Sequence, residues 1–480
     1  MSDKMKNKLL KQSTPRPAAC SVTGGWLGRF WADQSGNMSY LALTGALMMM
    51  VFGGVGIDMI HAELKRTKIQ NTLDRAVLAA ADLENGLDPT FVVNDYFRAM
   101  DMTDTLIDVQ DESANLLNAK RVTAEGGASV ASNFTRLLGM DTLDVAGRAR
   151  AEEGANNIEV SLVLDISGSM ADNNKMQQLR SAANQFFDLL LTEDNKDRIS
   201  ISLVPYSEHV NPGPDLTDYL DVNWRHGYSH CVEMPDEEFD SPVLNRDITY
   251  QQVQHYQWNY FGANDRDDTI CPQFSYERIT PFSQDVTALK AQINAMQPRA
   301  GTSIFLGLKW GAALLDPGTA DITGALAARN KVDNAFRDRP TAYEDDTTIK
   351  TIVLMTDGQN SNSMRIQDWA YNSNSEIALW ARYNMWYYLT RNVHSANWGY
   401  FYQQKYSAAT GDMLMDNICT AAKDQGVVIW SIGFEVTDYS AGVMAKCASS
   451  PAHFFRVEGQ AIEEAFYSIA RTINQLRLTQ

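Results

Sequence analysis

The chain is short of positive charge and of cysteine, and each shortage limits the functions open to it. Lys and Arg number 41 against 59 Asp and Glu, which gives a net charge of −18 over 480 residues. An acidic protein repels phosphate backbones unless its basic residues cluster, so nucleic acid is not expected as a partner. The five cysteines show neither C-x-x-C spacing nor a neighbouring histidine pattern, which argues against a zinc site.

Sequence features of common enzyme sites are also missing. No Gly-x-x-x-x-Gly-Lys-Ser/Thr segment occurs, so the chain does not bind nucleotide through a P-loop. The histidines show no arrangement of a base beside a metal-bound water, since His226, His230 and His255 lie in a polar stretch and His209 closes a predicted strand. We therefore predict that the protein is not an enzyme. Its length predicts two or three folded units.

One long hydrophobic run stands out near the N-terminus. Residues 38–57 are 20 residues without a formal charge, and about 20 apolar residues span a bilayer as a helix. The run predicts a transmembrane helix over 38–60, behind a basic tail over 1–37. The positive-inside rule then puts the N-terminus in the cytoplasm and the rest outside, although basic residues over 65–68 weaken the asymmetry. A cleavable signal peptide and a buried core helix are the alternatives.

Residues 61–156 are predicted to form a membrane-proximal helix and a small α+β connector. Apolar residues continue beyond the span at alternating spacings of four and three, a coiled-coil-like stripe that suits a partner helix or the domain behind it. Its members are Ile69, Leu73, Ala76, Ala80 and Leu83. Asn85-Gly86 gives a C-cap signal, after which a helix is expected near 91–100 and strands around 106–109, 120–124 and 143–150.

Residues 157–480 alternate apolar strands with helical patterns, which predicts an α/β domain with a mostly parallel sheet between helices. The strands are expected at 158–164, 199–205, 279–282, 351–355 and 427–434. Helices are expected at 176–191, 286–296, 306–315, 416–423 and 461–476. Two polar, aromatic-rich insertions, at about 211–275 and 359–410, are too long to be ordinary turns.

Side chains with oxygen atoms follow the predicted strands at three places. Asp165, Ser167 and Ser169 stand at the carboxyl end of the first strand, where open α/β sheets bind ligands. Thr302 precedes a helix, and Asp357 follows an apolar strand. Hydroxyl and carboxylate oxygens suit Mg²⁺ or Mn²⁺ better than zinc. Each segment alone is also compatible with an ordinary turn or helix cap, and a polar turn cluster without metal is the alternative.

In their order and spacing, these five residues resemble the metal-ion-dependent adhesion site of the von Willebrand factor A domain. That site consists of Asp-x-Ser-x-Ser, a distal Thr and a distal Asp. The resemblance covers 157–476 apart from the two insertions. It implies a Rossmann-like fold that holds Mg²⁺, or Mn²⁺ or Ca²⁺, and a protein partner that offers a carboxylate to the ion. The implied metal ligands are Asp165, Ser167, Ser169, Thr302 and Asp357.

The N-terminal region resembles the TadG-like proteins of the tight-adherence (Flp) pilus machinery. The resemblance rests on Ser35-Gly36-Asn37, the apolar run, and Gln70-Asn71-Thr72-Leu73-Asp74-Arg75-Ala76 with the alanines that follow. It implies one inner-membrane helix, a small connector and a C-terminal A domain outside the membrane, acting in pilus assembly. It also favours the disulfides Cys231–Cys271 and Cys419–Cys447, which the residues alone leave open against four buried thiols.

The role of the insertions and two other functions stay open. In the family's topology both insertions emerge on the metal face, where Trp and Tyr side chains would surround the ion. A separate aromatic core is slightly favoured, because so long an insertion needs something to bury. One alternative function is a structural envelope protein whose metal only stabilises the fold and whose coiled-coil-like stripe makes the contact. The other is a cytoplasmic, chelatase-like A-domain subunit that acts with a P-loop partner.

Overall fold

The computed structural model describes residues 37–82, 87–111, 119–154, 157–258, 262–345 and 347–476. These residues form two compact units. The first unit includes the described residues up to 111 and from 121 to 151, and the second includes residues 119–120 and the described residues from 152 onward. The basic tail up to residue 36, and the predicted end of the stripe at Leu83 and Asn85-Gly86, lie outside the described residues.

The first unit begins with one unbroken helix, α1 (Asn37–Ala81). Within the described residues, it is the one helix long and apolar enough to cross a membrane. Its first turns leave large apolar side chains exposed, among them Leu41 at 65%, Met49 at 74% and Phe52 at 72%. Side chains of this kind in contact with water would be unfavourable, so this part of α1 fits a lipid environment.

The second half of α1 packs against the rest of the first unit. Ile69, Leu73, Ala76 and Ala80 are buried in one core with helix α2 (Pro89–Ala99) and a three-stranded sheet. The sheet strands are β1 (Leu106–Asp111), β2 (Ala119–Ala131) and β3 (Thr142–Gly154). The predicted stripe therefore exists, and the described members are covered by their own unit. The strands β2 and β3 are longer than the sequence pattern indicates.

The second unit contains the remaining strands and helices. Its strands are β4 (Asn157–Asp165), β5 (Ile199–Tyr206), β6 (Asp221–Asn223), β7 (Val232–Glu233), β8 (Thr249–Gln252), β9 (Thr280–Ser283), β10 (Thr348–Thr356), β11 (Ser363–Ile366), β12 (Tyr402–Tyr406), β13 (Val428–Phe434) and β14 (Phe454–Val457). Its helices are α3 (Lys175–Leu190), α4 (Gly213–Thr217), α5 (Val286–Ala295), α6 (Ile304–Ala313), α7 (Ala320–Ala328), α8 (Asn374–Arg382), α9 (Met385–Asn392), α10 (Ala408–Asp424), α11 (Asp438–Cys447) and α12 (Ala461–Leu476).

A six-stranded sheet organises the second unit in the order β14-β13-β10-β4-β5-β9. Neighbouring strands are parallel except β9, which runs antiparallel to β5 at one edge. Helices cover both faces of the sheet, and alternate residues of β4 therefore pack into two different cores. Leu162 and Leu164 pack with Phe186 of α3, and Val163 packs with Trp310 of α6. The predicted α/β fold with a mostly parallel sheet is confirmed.

The two insertions fold together into a satellite core of their own. Val253, Tyr256 and Ile270 from the first insertion are buried with Ile366 and Trp380 from the second. The Cys231–Cys271 disulfide lies in this core, and Cys419–Cys447 joins α10 to α11. Both predicted cysteine pairs are therefore confirmed. The separate aromatic core expected from the length of the insertions is also present.

The Cys231–Cys271 disulfide should stabilise the insertions rather than the sheet. It closes a loop of 40 residues, and restricting such a loop in the unfolded chain stabilises the folded state by about 3–4 kcal/mol. We expect the Cys231→Ala/Cys271→Ala variant to be cleaved by protease within 211–275 much faster than the wild type. Mass spectrometry of the fragments measures this, with Cys20→Ser as the control. Equal cleavage rates in the two proteins would contradict the prediction.

Candidate metal centre

Asp165 is the last residue of β4, and its carboxylate is fully buried between two strand ends. One oxygen, Oδ1, accepts a hydrogen bond from the Ser167 backbone N–H at 2.7 Å. The other, Oδ2, accepts one from the hydroxyl of Thr356, the last residue of β10, at 2.6 Å. The strands pair in parallel with Met355 opposite Leu164. Their carboxyl ends, and the polar residues that follow them, therefore meet at one edge of the sheet.

The serine hydroxyls connect this edge to Asp357. Ser167 Oγ lies 3.1 Å from Ser169 Oγ, and Ser169 Oγ donates to Asp357 Oδ1 at 2.7 Å. Asp357 itself follows β10 and is 5% exposed. The structure thus joins four of the five predicted metal ligands, Asp165, Ser167, Ser169 and Asp357, in one hydrogen-bonded cluster.

Thr302 lies in a loop that contacts the same cluster from a third segment. In this loop the Ala300 carbonyl accepts a hydrogen bond from the Gly168 N–H at 3.0 Å. A Cβ at position 168 would lie 3.1 Å from that carbonyl, so the close approach favours glycine. Thr302 is buried, and its N–H donates to Ser361 Oγ at 2.8 Å, while the Ser361 N–H donates to the Thr302 carbonyl. The three segments that carry the predicted ligands, after β4, around Thr302 and after β10, are therefore adjacent in the structure.

Lys175, at the start of α3, is a member of the centre that the sequence did not reveal. Its ammonium donates to Asp357 Oδ2 at 2.9 Å and lies 3.9 Å from the Glu435 carboxylate. The lysine is buried rather than solvated. One signal in the sequence points to it, because a cation in the first turn of a helix is opposed by the helix dipole and needs a compensating partner. Thr356 was missed as well, since its hydroxyl is identified only by its contact with Asp165.

Negative charge is concentrated in this cluster. Burial and the neighbouring Asp357 carboxylate together raise the pKa of Asp165 to about 7, against the hydrogen bonds from Ser167 and Thr356, which lower it. The Lys175 ammonium pairs with one of the two buried carboxylates, that of Asp357. A divalent cation between them would lower the pKa of Asp165, because it favours the ionised carboxylate.

The donor atoms present fit a hard divalent cation. Carboxylate and hydroxyl oxygens from a strand end and an adjoining loop are the ligand types of Mg²⁺ and Mn²⁺. Across the described ranges, no group of three or more His, Cys, Asp and Glu side chains has the arrangement of a metal site. The cluster at Asp165 has a different composition, because serine hydroxyls as well as carboxylates supply its oxygen atoms.

Both insertions reach the rim of this centre. Asp268 of the first insertion accepts a hydrogen bond from the Ala300 N–H at 3.1 Å. Trp258 Nε1 donates at 2.8 Å to Glu208, a buried carboxylate that also accepts from Ser363 Oγ of the second insertion at 2.7 Å. Burial raises the pKa of Glu208. The insertions thus support the loop that carries Thr302, and some of their aromatic side chains, among them Tyr256 and Trp380, pack in the satellite core.

Comparison with known families identifies the N-terminal region. Residues 36–83 match the family model described as "Putative Flp pilus-assembly TadE/G-like". The matched segment contains the apolar first half of α1 and the stripe residues after it, so the predicted likeness to the Tad pilus proteins is confirmed for this region. The Tad match and the apolar helix together indicate membrane anchoring. A search of curated proteins found no match.

Distant likeness to solved structures includes pilus proteins. The von Willebrand factor domain of the type V pili tip protein Mfa5 from Porphyromonas gingivalis is 15% identical over 68% of this chain and 98% of that chain, with a TM-score of 0.35. The pilus adhesin SpaC from Lactobacillus rhamnosus GG is 12% identical over 77% of this chain and 34% of that chain, with a TM-score of 0.35. The PilB minor pilin from Streptococcus sanguinis is 14% identical over 77% of this chain and 78% of that chain, with a TM-score of 0.32. At these values the likeness carries no functional argument, and the fold rests on the observed sheet.

The metal-free centre should make stability depend on pH through Asp165. Its pKa is raised on folding, so its contribution to stability is full below its ordinary pKa and is lost as the pH rises through about 7. In chelator, we expect the free energy of unfolding of the wild type to fall from about pH 5 to about pH 8, and that of Asp165→Asn to fall less. Denaturant unfolding at each pH measures the difference. Parallel pH profiles for the two proteins would contradict the prediction.

Proposed function

We propose that this chain is a membrane-anchored module of the bacterial cell envelope that binds a protein partner through a divalent metal ion. The observation that carries the proposal is the carboxylate and hydroxyl cluster at the joined ends of β4 and β10. The Tad match of residues 36–83 supports a role in the assembly of, or adhesion by, a Flp-type pilus. The module is not an enzyme in this proposal, and in the described residues no histidine is hydrogen-bonded to the five proposed ligands.

Asp165, Ser167, Ser169, Thr302 and Asp357 would hold the ion, which we propose is Mg²⁺, or Mn²⁺ or Ca²⁺. Three hydroxyls and two carboxylates would supply five oxygen ligands, and Mg²⁺ prefers six. The ion would therefore offer a position to a carboxylate from the partner. Among the described contacts Lys175 already pairs with Asp357 Oδ2, so the ion and the ammonium would share that carboxylate.

The anchor in this proposal is the first half of α1 in the inner membrane. The exposed apolar side chains of that half and the basic residues that precede it support a single span with the N-terminus in the cytoplasm. The second unit would then lie outside the cytoplasm. The disulfides Cys231–Cys271 and Cys419–Cys447 support this side of the membrane, because disulfides persist in oxidising compartments.

A structural role without metal-dependent binding is the second candidate. The Lys175–Asp357 ion pair favours it, because a cation already partly neutralises the centre. In this candidate the coiled-coil-like stripe of α1 would contact a partner. The structure does not favour that contact, since Ile69, Leu73 and Ala76 of the stripe are fully buried within the first unit. Metal binding and partner capture distinguish the two candidates.

Removing Lys175 should strengthen metal binding. Lys175→Met frees Asp357 from a charged hydrogen bond, so we expect Mg²⁺ affinity measured by calorimetry to rise about tenfold. We also expect the metal-free variant to unfold at a lower temperature than the wild type, because Asp357 stays buried without its cation. Lys290→Met is the matched control, since Lys290 pairs with Asp188 on the surface. The proposal fails if neither wild type nor variant binds Mg²⁺, Mn²⁺ or Ca²⁺.

Partner binding should require both the ion and Asp165. With detergent-solubilised full-length protein as bait in envelope extracts, we expect the wild type to capture a partner in Mg²⁺ and to lose it in chelator. Asp165→Ala should capture little in either condition. Asp188→Ala, which removes a surface carboxylate, should behave as the wild type. Equal capture by the wild type and Asp165→Ala, with and without the ion, would support the structural role instead.

A further inference from the structure

An acidic residue stands at the end of the apolar part of α1. Asp58 directly follows the uncharged run 38–57, and the next two residues, Met59 and Ile60, are apolar and exposed at 63% and 60%. Asp58 itself is only 3% exposed. A carboxylate at the edge of a membrane span is costly unless other groups hydrogen-bond to it. The groups that hydrogen-bond to Asp58 therefore identify the segment that lies beside this end of the apolar run.

Those partners belong to the loop between β2 and β3. Asp58 accepts hydrogen bonds from three consecutive backbone N–H groups, those of Asn133 at 3.2 Å, Phe134 at 2.7 Å and Thr135 at 2.8 Å. The Thr135 hydroxyl adds a fourth at 3.3 Å. We call residues Ser132–Met140 the clasp loop. Its backbone N–H groups satisfy the carboxylate, as the N–H groups at a helix start satisfy an anion.

The clasp loop also contacts the apolar run itself. A Cβ added to Gly54 would lie only 2.2 Å from Cδ1 of Phe134, so the ring lies directly against the bare backbone of that residue. Gly54 precedes Asp58 by about one helical turn, which is roughly 6 Å along the axis. The ring of Phe134 therefore lies beside residues that are within the proposed span.

Three large apolar side chains of the clasp loop are exposed, beside the exposed Arg136, which pairs with Asp141. Leu137, Leu138 and Met140 are exposed at 73%, 60% and 48%. They follow the residues bonded to Asp58, so they are held close to the end of the span. The exposed apolar side chains of the clasp loop therefore follow, within a few residues, the part of the loop that contacts Gly54 and Asp58.

We propose that the clasp loop enters the boundary of the bilayer beside α1, with Leu137, Leu138 and Met140 among the lipid chains. The inference rests on the membrane anchoring proposed above. Its occupant is lipid, because the loop packs on residues of the span, where lipid is the surrounding medium. Asp58 and Gly54 position the loop, and the first unit gains a second membrane contact besides its helix.

The depth of Leu137 tests this directly. In full-length Cys20→Ser protein, Leu137→Cys is labelled with an environment-sensitive fluorophore and reconstituted into phosphatidylethanolamine and phosphatidylglycerol vesicles. We expect blue-shifted emission, strong quenching by a nitroxide attached near the lipid headgroup, and weak quenching by aqueous iodide. Phe91→Cys is the comparison, because Phe91 is exposed at 53% on α2, which packs on the second half of α1. Its label should show the opposite quenching pattern.

Matched variants test the roles of Gly54 and Asp58. Gly54→Leu should displace the ring of Phe134. We then expect quenching of the Leu137 label by aqueous iodide to increase several-fold. Gly45→Leu should leave it unchanged, since a Cβ at Gly45 meets nothing within 4 Å. Asp58→Ala should act as Gly54→Leu does, because three backbone N–H groups lose their acceptor. Circular dichroism confirms that each variant keeps its secondary structure.

The outcomes separate this inference from the anchoring itself. Vesicle flotation and resistance to carbonate extraction report anchoring independently of the label. If the chain floats while the Leu137 label is as open to iodide as the Phe91 label, the clasp loop does not enter the bilayer and the inference is wrong. A label shielded from both quenchers shows that protein covers the loop, which also overturns it. A chain that does not float overturns the anchoring and the inference together.

Discussion

Two buried carboxylates, Asp165 and Asp357, meet at the end of adjacent parallel strands, and the polar edge of the second unit is arranged around them. Like charges in a low-dielectric environment repel, so each carboxylate needs donors to remain buried. Thr356 and the Ser167 N–H supply them to Asp165, while Ser169 and Lys175 supply them to Asp357. The proposed metal ion would join this set as the largest positive charge, and a carboxylate of the partner would occupy its sixth coordination position.

The sequence predicted the parts of the fold that depend on local pattern. Apolar runs of β-branched and aliphatic residues marked β4, β5, β10 and β13, and their alternation with helices predicted a mostly parallel sheet. The sequence also placed Asp165 and Asp357 after strands whose carboxyl ends share one edge of the sheet, and the structure adds that these strands are neighbours. That these residues bind a metal ion stays a prediction. The uncharged run before Asp58 predicted the apolar helix in the same way.

The contacts that the sequence could not predict join residues far apart in the chain. Lys175 is separated from Asp357 by 182 residues, and Asp58 from Phe134 by 76, so no local period relates the two partners. The satellite core could not be predicted for a similar reason, since its buried side chains come from two insertions that are far apart in the chain. Local pattern gives the elements and their order, whereas these pairings are set by tertiary packing.

The most direct test of the account is the position of a bound ion in crystals of the full-length protein grown with Mn²⁺. Anomalous scattering locates manganese without reference to the protein contacts. The account predicts a peak at metal-ligand distance, about 2.0–2.2 Å, from oxygens of the five proposed ligands. Absence of that peak, with the Lys175 ammonium still bonded to Asp357 and manganese bound elsewhere or not at all, would contradict a metal-dependent function.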